Sequence, residues 1–69
     1  MNFAETLKAK RIAAGLTTRE LAEKANVAQP MIAKYETGAT LPNIVTAKLL
    51  ADAVGATLDE LTEEESNGN

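Results

Sequence analysis

The side chains equipped for chemistry in this chain are few and of one kind. It contains no cysteine and no histidine, so disulfide staples, zinc sites of the usual type and histidine acid–base catalysis are excluded. No phosphate-loop pattern is present and no nucleophile sits near a candidate base, so the chain reads as a non-enzyme with no cofactor. Glu63, Glu64 and Glu65 form an acidic run. A metal wants oxygen ligands converging from a fold, so that run reads as a solubilising tail and no metal site is expected. What remains is charge and hydrogen bonding. The net charge is −3, yet residues 1–56 hold all seven basic side chains (Lys8, Lys10, Arg11, Arg19, Lys24, Lys34, Lys48) against five acids, leaving +2. Residues 57–69 hold five acids and no base, which points the tail away from any polyanion the front of the chain engages.

The elements that must position these groups are legible in residues 18–37, TRELAEKANVAQPMIAKYET. Leu21 and Ala22 share one face of a first short helix, and Met31, Ile32 and Tyr35 follow i, i+1, i+4 spacing on a second. Ala22 is small enough to let the second helix approach, and Val27 plugs the corner. Asn26 stands where the chain reverses, and asparagine tolerates the left-handed conformation that usually demands glycine. Two short helices across a tight turn make a helix-turn-helix, a DNA-reading device.

With 69 residues there is room for one domain near the lower limit of self-sufficient cores. The composition is 45% hydrophobic but only 3% aromatic, which favours packed helices over a small β-barrel. No apolar run approaches a membrane span and no signal-peptide core opens the chain, so a cytosolic protein without membrane association is expected.

Helix ends are marked by their capping chemistry. Asn2 with Glu5 resembles a capping box, Phe3, Leu7 and Ile12 supply an apolar face, and Gly15 then Leu16 close the first helix in Schellman fashion, giving roughly 3–14. Thr17 with Glu20 is a second box, opening a helix from Thr18 to about Ala25. The third helix starts near Gln29 and stops before Gly38, with Pro30 acceptable in its first turn. Its cap position falls on Ala28, which forfeits about 1 kcal/mol unless a phosphate oxygen takes the open amide. Leu41, Pro42 and Asn43 form a stop and restart. Ile44, Ala47, Leu50, Ala51 and Val54 then fall on one stripe ending at Gly55. Thr57 with Glu60 predicts a short fifth helix around Leu58 and Leu61, before a frayed end. The expected layout is a domain over 1–62 and an acidic, disordered tail over 63–69.

This order of helices resembles the lambda-repressor-like family of DNA-binding domains, which includes phage repressor and Cro proteins. The carrying residues are Leu7, Lys10 and Arg11, GLTTRELAEKANV from Gly15, Ile32, Tyr35-Glu36-Thr37-Gly38, Pro42 and the closing LADAVGATLDEL. The resemblance implies an all-α, compact five-helix domain whose third helix enters the major groove of double-stranded DNA, usually as a twofold homodimer on a palindromic operator. It sets Gln29, Pro30, Ala33 and Lys34 against bases. Gln29 suits an adenine edge, Lys34 guanine acceptors, and Pro30 and Ala33 a thymine methyl. Thr18 falls against a phosphate, where family members often have glutamine; its hydroxyl donates but reaches less far, which weakens the case for a bridge to the third helix. Arg11 and Glu36 match an ion pair joining the first helix to the end of the third. The loop from Thr37 to Asn43 carries no charge here where the family often has lysine or arginine, so each lost phosphate contact flattens the salt dependence and binding leans on dimer avidity. Thr37, Thr40 and Asn43, with the amides around Gly38, are left to bond phosphate.

Blander readings stand beside these. Lys8, Lys10 and Lys24 suit a solvated face as well as a phosphate contact, whereas Arg19 lies beside the expected phosphate site. Leu58 and Leu61 either complete the core or form a dimer seam. Two functions from different classes follow: a sequence-specific transcriptional regulator, most simply a repressor, or a protein-interaction module that kept the fold and engages a protein partner. Affinity for DNA that falls with salt separates them.

Overall fold

The computed structural model describes residues 3–61. Among them the chain forms only helices: α1 (Phe3–Ala13), α2 (Thr18–Ala25), α3 (Gln29–Thr37) and α4 (Ile44–Val54). A further helix, α5, opens over 58–61. The cap expected at Asn2 and the acidic tail over 63–69 lie outside the described residues. The all-α fold expected from composition is the one found, and among the described residues no helix is long and apolar enough to cross a membrane.

Several boundaries have a local chemical cause. Thr17 Oγ1 accepts the Glu20 amide at 3.0 Å and Glu20 Oε1 accepts the Thr17 amide at 2.9 Å, the reciprocal capping box that opens α2. Thr57 and Glu60 repeat it at α5, at 3.1 and 2.7 Å. Asn43 caps α4 by accepting the Thr46 amide at 2.8 Å. After α1, the Leu16 amide donates to the Arg11 carbonyl at 3.1 Å across Gly15, which is the expected Schellman closure. Asn26, between α2 and α3, takes φ 59° and ψ 45°, the left-handed geometry its position required.

The core gathers one face from every helix. Leu7, Leu21, Ile32, Leu50 and Leu61 are its largest fully buried side chains, each worth about 1.5–3 kcal/mol of transfer free energy. Helix α1 packs on α3 and α4, and α2 packs on α3 and α4. Two expected core residues face outward instead. Ile12 is 60% exposed, because five residues from Leu7 carry it about 140° round the helix, and Arg11 takes the inward position. Ile44 is 67% exposed. As the first residue of α4 its side chain leans toward the helix N-terminus, beyond the elements packed beneath Ala47 and Ala51. Of the two readings for Leu58 and Leu61, Leu61 lies in the protomer's own core at 2% exposure, and Leu58 is half-buried.

Candidate nucleic-acid interface

Helix α3 has two unlike faces. Ile32 and Tyr35 are buried, which fixes the rotation of the helix on the core. Gln29, Pro30, Ala33 and Lys34 are all exposed. At about 100° per residue these four share one arc of roughly 140°, opposite the buried stripe. Lys34 makes no ion pair among the described residues. The face therefore offers a carboxamide, an apolar ring, a methyl and an ammonium, the mixture that suits base edges.

The N-terminal end of α3 is open. Ala28 makes no side-chain capping bond, Pro30 has no amide hydrogen, and the Met31 amide is taken by the Ala28 carbonyl at 3.0 Å. The Gln29 amide is left as the first-turn donor. A shallow groove beside it is lined by Arg19, Glu23, Asn26, Ala28 and Gln29. Arg19 is 76% exposed at its side chain and only loosely held, 3.7 Å from Glu23, so it is free to turn toward an anion.

Thr18 reaches α3 after all. Gln29 Nε2 donates to Thr18 Oγ1 at 3.3 Å, so the longer glutamine side chain closes the gap that the short threonine leaves. The threonine oxygen accepts this bond, and its own hydroxyl hydrogen stays available to a phosphate. The same bond orients the carboxamide, leaving Gln29 Oε1 and the second N–H for an adenine edge.

The opposite end of α3 is closed by charge. Arg11 Nε donates to Glu36 Oε2 at 2.7 Å, Arg11 Nη2 to Glu36 Oε1 at 3.1 Å, and Arg11 Nη1 to the Leu16 carbonyl at 2.9 Å. The two side chains are 12% and 6% exposed. This bidentate fork locks the end of α3 to α1, as the resemblance implies. Its third arm, to the Leu16 carbonyl in the α1–α2 turn, was not expected, and no local sequence signal marks it. Lys10, next to Arg11, pairs instead with Glu60 at 3.2 Å. The backbone N–H of Thr57 first, then Lys10, hold the Glu60 carboxyl below its ordinary 4.5.

The α3–α4 loop departs from expectation. The Gly38 amide donates to the Lys34 and Tyr35 carbonyls, and the Ala39 amide donates to Lys34 at 3.0 Å. These amides close α3 rather than await phosphate, which Gly38 at the αL cap position foretells. Thr37 likewise donates its hydroxyl to the Lys34 carbonyl at 3.2 Å. Asn43 uses only its oxygen as a cap, so its Nδ2 is a ready donor, and Thr40 in the same loop is half-buried.

Comparison with known proteins bears on this geometry. A profile of helix-turn-helix domains matches residues 7–61. The chain is 35% identical over 65 residues to the HTH-type transcriptional activator BcrR of Enterococcus faecalis, an alignment covering 94% of this chain and 32% of that protein. The chain thus spans about a third of the length of that relative.

Proposed function

The chain belongs to the helix-turn-helix family, and on that premise we propose that it is a DNA-binding transcription regulator reading a specific operator with α3 in the major groove. The observation that carries the reading is the exposed arc of Gln29, Pro30, Ala33 and Lys34, held in place by the buried stripe behind it. In this proposal Gln29 and Lys34 select bases, and Pro30 and Ala33 set how closely the helix approaches. Thr18, Arg19, Thr40 and Asn43, with the Gln29 amide, bind phosphates and fix the register. Thr37 contributes only if its bond to Lys34 opens.

Two protomers related by a twofold axis on a palindromic operator give the affinity that one small, uncharged loop does not. The domain determines where the protein sits, and the position of the operator determines the sign. Over a promoter, occupancy excludes polymerase and represses; beside it, the same occupancy permits activation, the direction in which the relative's name places that protein. Selection of random double-stranded DNA by the purified chain at low salt, followed by sequencing, tests the reading. Enrichment of paired half-sites about one helical turn apart is expected. A folded protein that enriches nothing transfers the assignment to the protein-interaction module.

A further inference from the structure

The exposed arc of α3 carries one side chain whose two hydrogen-bonding ends are not interchangeable. Gln29 Nε2 donates to Thr18 Oγ1 at 3.3 Å, and Thr18 is half-buried at the first position of α2. A phosphate oxygen is an acceptor only, so a Thr18 hydroxyl engaged with phosphate gives its hydrogen there and can only accept from Gln29. The bonds then run in one direction, from Gln29 through Thr18 to the DNA backbone. An inverted carboxamide would set Oε1 against the threonine lone pairs, so Gln29 keeps one acceptor, Oε1, and one N–H for the base. No other side chain on the arc duplicates that acceptor: Lys34 only donates, and Pro30 and Ala33 do neither.

We propose that this pair makes binding sensitive to a chemical mark on the DNA, and that N6-methylation of the adenine beneath Gln29 releases the protein. The proposal rests on the DNA reading of α3. In an A·T pair the adenine amino group has two hydrogens, one bonded to thymine and one facing the major groove, where Gln29 Oε1 accepts it. A methylated amino group that stays paired holds its methyl in the groove, in place of that second hydrogen. Oε1 then loses its donor and meets a methyl at contact distance. A glutamine free to rotate would swing its oxygen aside and keep the N–H on N7, but Thr18 holds this carboxamide from behind. With no second acceptor on the arc, nothing compensates, and occupancy follows the methylation state of the operator.

The test uses the full chain and the sequence recovered from random DNA, resynthesised with N6-methyladenine at one adenine position at a time. Wild type is expected to lose affinity about tenfold or more at one position of the recognition sequence and to be indifferent at the others. Gln29→Ala, shown to be folded by circular dichroism, is expected to bind methylated and unmethylated DNA equally. Thr18→Ser keeps the hydroxyl and is expected to keep the discrimination, whereas Thr18→Val frees the carboxamide and is expected to lower the ratio to about threefold or less. Binding that is unchanged or tighter at every methylated adenine overturns the proposal and keeps the DNA reading, as does an equal loss in wild type and Gln29→Ala. Discrimination as sharp in Thr18→Val as in wild type overturns the orienting role of Thr18 on which the proposal stands. A folded protein that enriches no sequence at all sinks the DNA reading and the proposal with it.

Discussion

At the C-terminal end of α3, Glu36 gives both carboxylate oxygens to Arg11, with side chains 12% and 6% exposed. At its N-terminal end, Gln29 meets Thr18 through one 3.3 Å bond in open solvent. The first bond acts on folding, because opening it strands a charge largely removed from water. The second contributes little to folding, because water replaces either partner, but it aims the one carboxamide on the exposed arc. A helix fastened hard at one end and lightly at the other keeps its position while its exposed N-terminal end is left free to adjust.

The comparison breaks most directly at the charged end. Glu36→Ala is expected to cost about 3 kcal/mol, a large share of a small domain's stability, read as a lower urea midpoint. A loss under about 1 kcal/mol there removes the contrast. At the other end, Gln29→Ala is expected to leave the urea midpoint within about 0.5 kcal/mol of wild type while costing roughly 1–3 kcal/mol in affinity for a selected site and relaxing one base position. Lys34→Ala is expected to behave alike, and Arg19→Ala to weaken all sequences equally. Uniform loss from all three withdraws base reading from α3. Thr18→Val keeps the shape and removes the acceptor; about 1 kcal/mol of affinity is expected to go, with blurred preference at the base Gln29 reads.

The smallest effect belongs to Lys10 and Glu60. Lys10→Ala is expected to cost under about 1 kcal/mol, and less in high salt. Glu60 supplies the pH signature. Its folded carboxyl titrates below the ordinary 4.5, so its contribution is complete above that value and is lost as the pH falls through it toward the folded pKa. Glu60→Gln is expected to flatten that part of the acid-unfolding curve, and an unchanged curve removes Glu60 from the account.

Helix ends were legible in the sequence because capping is local chemistry. Thr17 with Glu20, Thr57 with Glu60, and the left-handed positions at Gly15, Asn26, Gly38 and Gly55 need no tertiary information. The face of each helix was harder to read. Ile44 falls on the right stripe and is still exposed, because the stripe does not reveal where the underlying element stops. Arg11 in an inward position and Glu36 opposite it are separated by 25 residues, so only the family resemblance paired them. The Thr18–Gln29 bond depends on how closely α2 and α3 approach, which spacing along the chain does not resolve.

The chain has one tyrosine and no tryptophan, and that tyrosine, Tyr35, is buried at 7% exposure on α3 beside Glu36. Its near-ultraviolet emission is consequently a label-free optical gauge of how α3 is seated. The fluorophore lies on the inward side, away from the arc offered to bases, so changes in seating are recorded without a dye occupying the surface under study.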